Sequence, residues 1–328
     1  DDGWGAQGDE SDAPATELIA DASRSVLVYN QSPDVPFDRS VNPYRGCEHG
    51  CVYCYARPTH AYLDCSAGLD FETRIFYKAG AAELLAQELG KTGYQCQPIA
   101  LGVNTDAYQP AERKLKITRD ILEVLLAHRH PVGIVTKSAL VERDLDLLGD
   151  MAKRNLVHVM VSVTSLDKRL ARSMEPRAAA PRRRLESIRR LSAAGIPVGV
   201  LVAPVVPVLN DGEIESILTQ VRRAGALSAG YVMLRLPHEV KDLFRSWLQR
   251  HVPLKADHVM KRIRDIRGGN ENDSQFGRRM RGTGVYAELI QKRFEIALAR
   301  LSFQGMPAFD SSCFRVPRTS APQLQLFE

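Results

Sequence analysis

Between residues 26 and 236, short β-branched runs alternate with longer stretches of helical period, and no other feature of this 328-residue chain limits its fold as strongly. Strands are predicted at 40–44, 99–105, 132–136, 157–163, 198–203 and 231–236. Helices are predicted between them at 79–89, 111–128, 141–154, 182–194 and 211–224, with Gly195 placed as a C-cap and Asn210-Asp211 as an N-cap. Strands joined in succession through helices are parallel, because a right-handed crossover lays each helix back on the sheet. The expectation is an α/β fold over 25–238 whose sheet forms a closed or partly closed barrel. Beyond Leu236 the strand pattern stops. Helices predicted at 240–249, 256–266 and 285–302 make a helical extension over 239–304, and a Pro-containing tail follows over 305–328.

Composition agrees with a globular chain, since 44% hydrophobic and 25% charged residues can build a core that offsets chain entropy. No run approaches the ~20 apolar residues of a membrane-spanning helix, and the longest candidate, 196–209, is broken by Pro197, Pro204 and Pro207. A soluble protein with no membrane partner is expected. The start at Asp1 lacks both an initiator Met and the basic-then-apolar order of a secretory signal, so a trimmed chain of cytoplasmic location is expected rather than an exported one. Residues 1–24 carry seven acids against Arg24 alone and read as a disordered acidic tail.

Of six cysteines, three crowd into Cys47-Glu-His-Gly-Cys51-Val-Tyr-Cys54, which points to ligation in a reducing compartment rather than to disulfides. Three thiolates on one loop can hold three irons of a cubane cluster and leave the fourth open to a ligand. The alternative is a zinc-binding interaction module, in which Cys47, Cys51 and Cys54 are joined by His49 or His60. Cys65, Cys96 and Cys313 stand apart and read as small buried apolar residues.

The C-x3-C-x2-C spacing, with Tyr53 before Cys54, resembles the signature of the radical S-adenosylmethionine (SAM) superfamily. The run Thr105-Asp106-Ala107-Tyr108-Gln109-Pro110, then Val135-Thr136-Lys137-Ser138, then Leu201-Val202-Ala203-Pro204-Val205, is similar to the spore photoproduct lyase-like branch. Arg235-Leu236-Pro237 and the run from Arg279 to Ala287 further resemble a group of uncharacterised bacterial radical SAM proteins. The resemblance implies a partial (βα)6 barrel, a [4Fe–4S] cluster on Cys47, Cys51 and Cys54, and SAM chelating the open iron. It also implies an electron donor such as flavodoxin or ferredoxin, reductive cleavage of SAM to a 5′-deoxyadenosyl radical, and hydrogen abstraction from a substrate, DNA or another nucleic acid by analogy with the lyase, or alternatively a protein or small molecule.

Carried onto this chain, the resemblance sets Asn104, Thr105 and Asp106 near the methionine part of SAM, Lys137 on its carboxylate, Ser162 and Thr164 on the ribose, and Ala203 near the adenine. Read as bare residues, Asp106 fits equally an Asx turn and Lys137 a solvent-facing lysine. Tyr53 and Tyr55 correspond to tyrosines implicated in radical relay in the lyase family, or else simply pack over the cluster. Where that family places a hydrogen-donating Cys, this chain has Val103 and Asn104.

Residues 168–190 hold nine basic side chains against Glu175 and Glu186, a local net charge of +7 in a chain whose total is +5. Such a stretch, centred on Arg182, Arg183 and Arg184, can contact nucleic-acid phosphates. A solvated helix with Leu185, Ile188 and Leu191 inward explains the same pattern. A second basic stretch, Arg278-Arg279-Met280-Arg281-Gly282-Thr283-Gly284, follows no strand, so it suggests a flexible lid, a loop binding the SAM or substrate phosphate, or a simple helix N-terminus rather than a dinucleotide fingerprint.

Overall fold

A computed structural model describes residues 2–4 and 14–317. Strands β3 (Arg39–Val41), β6 (Ile99–Leu101), β7 (Val132–Thr136), β8 (Val157–Ser162), β9 (Val198–Val205) and β10 (Ser228–Met233) are parallel neighbours in that order, and β2 (Leu27–Tyr29) adds antiparallel to β3. Among the described residues β10 pairs only with β9, so the barrel stays open between β10 and β2. This is the partial (βα)6 architecture. A small second sheet joins β1 (Glu17–Ala20), β5 (Arg74–Tyr77) and β4 (Tyr44–Arg45).

Helices α1 (Asp70–Thr73) and α2 (Ala81–Leu89) precede β6, and α3 (Glu112–Leu115) and α4 (Ile117–Ala127) follow it. Next come α5 (Leu145–Ala152), α6 (Lys168–Met174), α7 (Pro181–Ala193) and α8 (Ile214–Arg223). Each main helix buries one stripe, as α7 does with Leu185, Ile188 and Leu191. Val157, Val159 and Val161 of β8 are no more than 1% exposed, and burial of such a side chain contributes about 1.5–3 kcal/mol. The extension comprises α9 (Val240–His251), α10 (Pro253–Asp265) and α11 (Val285–Arg300). Phe244, Leu248, Val259 and Ile263 of α9 and α10 pack with Cys51, Tyr53 and Met174, whereas Ile290 and Phe294 of α11 join the barrel core. No described helix is long and apolar enough to cross a membrane.

Several expectations need correction. β3 and β6 stop at Val41 and Leu101, earlier than their apolar patterns, because the chain leaves the sheet there to form the site. β10 begins three residues earlier than expected, at Ser228. The 111–128 helix is broken at Lys116, which adopts φ 55°. Asn210 is no side-chain cap; its Oδ1 accepts the Val206 N–H and its Nδ2 donates to the Thr164 and Pro204 carbonyls. Nor is the acidic segment uniformly disordered. Residues 17–20 form β1, Trp4 Nε1 donates to the Ala178 carbonyl at 2.8 Å, and Asp2 pairs with Arg113 at 2.9 Å. Residue 1 and residues 5–13, with Asp9, Glu10 and Asp12, lie outside the described residues. The described part of the tail, 305–317, straps the end of the barrel opposite the cysteine loop. Gly305 N–H donates to Leu227 O, Phe309 stacks 3.9 Å from His158, and Arg315 N–H donates to His128 O, all just before strands or within β8. Residues 318–328 lie outside the described residues.

Candidate active site

Cys47, Cys51 and Cys54 lie on one loop between β4 and a short 3-10 helix, Arg57–Leu63, at the C-terminal mouth of the barrel, where loops from successive strands converge. None of the three is in a disulfide, and Cys47 and Cys51 are buried. Their loop is tied on every side. Cys47 N–H donates to Phe71 O at 2.8 Å and Val52 N–H to Met174 O at 3.0 Å. Arg57 Nε donates to Cys51 O at 2.9 Å, and Arg177 Nε donates to Glu48 O. Both guanidiniums are then bridged by one carboxylate, Glu72, at 2.5 Å to Arg57 and 2.7 Å to Arg177. Gln109 completes the frame, accepting from Glu48 N–H at 2.9 Å and donating to Gly46 O at 3.2 Å. Gly50 has φ +67°, and a Cβ there would sit 2.6 Å from Glu72 Oε2, so a larger residue would be strained and would push on the Glu72 bridge.

The donor set suits an iron–sulfur cluster. Burial pushes the Cys51 thiol up to about 12, with Lys137 opposing, and burial, Asp106 and the two other thiols raise Cys47. These groups become thiolates when a cation takes the proton's place. A zinc site does not fit. His49 Nδ1 faces Asp106 at 3.4 Å and His60 Nε2 faces Arg74 O at 3.0 Å, which commits one ring nitrogen of each histidine elsewhere. Among the described residues no three His, Cys, Asp or Glu side chains converge on one ion. A cubane instead takes one thiolate per iron, which needs a wider triangle.

Around the loop the strand ends supply polar groups. Asp106 accepts from Tyr108 N–H at 2.9 Å and Thr136 Oγ1 at 2.8 Å on one oxygen, and from Lys137 N–H at 2.7 Å on the other. Burial alone would raise its pKa, but His49 and these N–H donors outweigh it and hold the carboxyl at about 2. Asp106 is thus a fixed anion that ties the end of β6 to the end of β7. Thr105 Oγ1 donates to Tyr44 O at 2.6 Å, and Asn104 N–H donates to Asn42 Oδ1 at 2.9 Å. Lys137 is half-buried, its Nζ 6.0 Å from the Tyr53 ring centroid; burial lowers its pKa, but Cys51 and Glu175 raise it further, so the ammonium is kept. Among the described residues it has no carboxylate within 4 Å.

Behind Lys137 lies a buried network that no spacing in the sequence revealed. Glu175 accepts from Tyr53 OH, from Thr164 Oγ1 at 2.6 Å and from Arg184 Nη2. Arg184 also donates to Ser162 O at 3.0 Å, and Thr164 Oγ1 lies 3.3 Å from Ala203 O. Tyr53, Ser162, Thr164 and Ala203 are therefore brought together, with the Thr164 hydroxyl already engaged. Tyr55 stands on the other side of Cys54, 44% exposed, its OH donating to Val103 O.

The expected phosphate-facing trio does not form. Arg184 is 2% exposed and paired with Glu175; Arg183 is paired with Glu142; only Arg182 is exposed. The +7 charge counts only acids within the run, while the fold brings Glu142 and Glu72 to it from elsewhere and lays residues 2–4 over it, with Lys168 Nζ donating to Trp4 O at 3.1 Å.

A family model described as the radical SAM superfamily matches residues 41–221, the strands and loops that build this mouth. The chain belongs to the radical SAM superfamily. Radical SAM enzymes use a [4Fe–4S] cluster and SAM, and Cys47, Cys51 and Cys54 are the residues that would hold the cluster here. An uncharacterised protein of Mycobacterium tuberculosis is 40% identical over 221 residues, 67% of this chain and 65% of that protein. The chain thus spans under two thirds of that relative's length. An uncharacterised protein of Methanocaldococcus jannaschii is 28% identical over 173 residues, 53% of this chain and 62% of its own. Among solved structures, spore photoproduct lyase complexed with dinucleoside spore photoproduct superposes with a TM-score of 0.62 at 15% identity, covering 88% of this chain and 80% of that one. A doubly substituted mutant of that lyase, with bound AdoMet and the same dinucleoside, gives 0.59 at 14%, with the same coverage. These likenesses extend the radical SAM fold well beyond residue 221.

Proposed function

We propose that this chain is a SAM-cleaving enzyme that abstracts hydrogen from a nucleic-acid substrate. The observation that carries the reading is the cysteine loop: three cysteines outside any disulfide at the open mouth of a (βα)6 barrel, beside an ammonium, Lys137, that makes no salt bridge among the described residues. A reduced [4Fe–4S] cluster on those thiolates supplies cleavage of SAM to methionine and a 5′-deoxyadenosyl radical. The chain's own residues then position and shield. Lys137 would take the SAM carboxylate, with its backbone held in place by the fixed Asp106 anion, and Ser162, Thr164 and Ala203, tied to the buried Tyr53–Glu175 network, would border the ribose and adenine. Asn104 and Thr105, at the end of β6, border the methionine part. An electron donor such as flavodoxin or ferredoxin delivers the electron.

Nucleic acid as the substrate class is supported by the mouth itself, where exposed Tyr55 and Phe276 each carry an arginine against the ring, a surface suited to bases and phosphates. Val103 and Asn104 place no thiol at the end of β6, so the hydrogen returned to product comes from another group than a cysteine there. The test is anaerobic. Dithionite-reduced protein given SAM should release 5′-deoxyadenosine, faster with single-stranded DNA or RNA present. No release under any condition overturns the enzymatic reading, and release that no nucleic acid alters, together with no oligonucleotide binding, overturns the substrate class.

A further inference from the structure

Arg235, two residues past β10 at the barrel mouth, carries a half-buried charge that has no ion-pair partner among the described residues. Its Nε is buried with no hydrogen-bond partner. Its Nη1 reaches the Met280 sulfur at 3.8 Å, a weak acceptor, and among the described residues no carboxylate lies within 4 Å of it. The buried and half-buried arginines of the cysteine loop and the floor are treated differently: Arg57, Arg177 and Arg184 each meet a carboxylate at hydrogen-bond distance. Arg235 instead faces other cations, Arg279 and Arg267. Asp34, whose charge reaches Arg235, is itself engaged by Arg279 Nε and by Gly277 N–H. Burial and Arg279 together lower the Arg235 pKa.

A half-buried guanidinium whose Nε has no acceptor and that meets no carboxylate at hydrogen-bond distance among the described residues gives up hydration without a full replacement, which points to an anion that arrives from outside. The surroundings narrow the choice. The Arg235 guanidinium lies 5.2 Å from the centroid of the exposed Tyr55 ring, and Tyr55 follows Cys54 directly. Arg279 lies 4.6 Å over Phe276, which is 58% exposed. A tetrahedral oxyanion accepts a guanidinium fork through two oxygens, while flat rings beside it accept a base. Resting on the nucleic-acid reading above, we propose that Arg235, backed by Arg279, seats a phosphodiester of the substrate and so fixes the adjoining nucleotide next to Tyr55.

Arg235→Met tests this, since it keeps the stem and removes the charge. In the anaerobic, cluster-loaded protein a fluorescein-labelled single-stranded dodecamer is titrated by anisotropy at several salt concentrations, and SAM is titrated separately by calorimetry. The expected result is at least tenfold weaker dodecamer binding, a salt slope shallower by about 0.7 for one lost phosphate contact, and an unchanged SAM dissociation constant. The ligand-free variant is expected to melt at a higher temperature than the parent, because an incompletely compensated half-buried charge has been removed; a structural arginine would give the opposite. Equal dodecamer affinity in parent and variant overturns the inference and leaves the nucleic-acid reading standing. Weaker SAM binding with dodecamer binding intact also overturns it, by assigning Arg235 to the SAM carboxylate. A lower melting temperature overturns it in favour of a structural role. A parent that binds no dodecamer overturns the nucleic-acid reading itself, and the inference with it.

Discussion

Arg184 and Glu175 form an ion pair in which the side chains are 2% and 0% exposed, beneath the mouth of the barrel. Glu175 in turn holds Tyr53 and Thr164, so one buried carboxylate links α7, the segment just past β8 and the cysteine loop. Removing one partner of such a pair leaves a buried charge uncompensated and costs about 3–5 kcal/mol. Arg184→Ala is therefore expected to lower the urea midpoint strongly, and Arg182→Ala to leave it within about 0.5 kcal/mol of the parent. Chemical denaturation of both variants checks this; equal midpoints would return Arg184 to the surface role its sequence suggested.

Iron retention should follow the cysteine loop alone. Cys47→Ala, Cys51→Ala and Cys54→Ala are each expected to abolish the brown colour and bring iron well below the ~4 per chain of the reconstituted parent, whereas Cys65→Ala, Cys96→Ala and Cys313→Ala keep it. Iron and sulfide analysis after anaerobic reconstitution decides between these patterns.

Glu72 bridges Arg57 and Arg177, whose other donors hold the carbonyls of Cys51 and Glu48. Glu72→Gln keeps the shape but gives up the charge, and each charge-assisted bond is worth about 1.5–3 kcal/mol. The loop is then expected to release its cluster to a chelator at least tenfold faster than the parent. Absorbance decay at about 400 nm in the presence of a ferrous chelator measures it.

Lys137→Ala should raise the SAM dissociation constant by roughly ten- to a hundredfold while iron content stays at the parent value, since a lost charge-assisted bond costs about 1.5–3 kcal/mol. Unchanged affinity in calorimetry would remove Lys137 from the SAM carboxylate.

His130 gives a pH signature far from the mouth. Its Nδ1 faces Pro131 O at 3.0 Å, its Nε2 faces Tyr94 OH at 2.8 Å, and the edge of Phe314 covers the ring. Burial, reinforced by the neighbouring Arg39 cation, outweighs the Pro131 carbonyl and lowers its pKa from 6.5 to about 4. The unfolded chain therefore binds a proton below about 6.5 and the folded chain only near 4. Stability from this group is full above about pH 6.5 and falls toward about pH 4, by up to about 1.4 kcal/mol per unit. His130→Gln, which cannot titrate, is expected to lose less of its urea midpoint between about pH 7 and about pH 5 than the parent does.

Much of the fold was legible because its signals are local. The alternation of periods located all six parallel strands and the main helices, and the C-x3-C-x2-C spacing located the cysteine loop, since both depend on residues a few positions apart. Strands β1, β4 and β5 were not legible: each is two to four residues long and is stabilised by partners 31 to 57 positions away, as Arg45 pairs with Phe76 and Glu17 with Arg74.

By itself, then, the sequence determined the βα order, the cysteine triad and the family. Tertiary structure alone decided which charges face water and which face one another. Arg184 and Arg235 look alike in a charge count, yet the fold brings the Glu175 carboxylate to the first, whereas among the described residues the second meets the Met280 sulfur, the Tyr55 ring and the Arg279 cation and no carboxylate at hydrogen-bond distance. The physical reason is that a guanidinium's environment is set by groups from other elements, brought close only when the barrel assembles, whereas periodicity and ligand spacing are written within a few residues of chain.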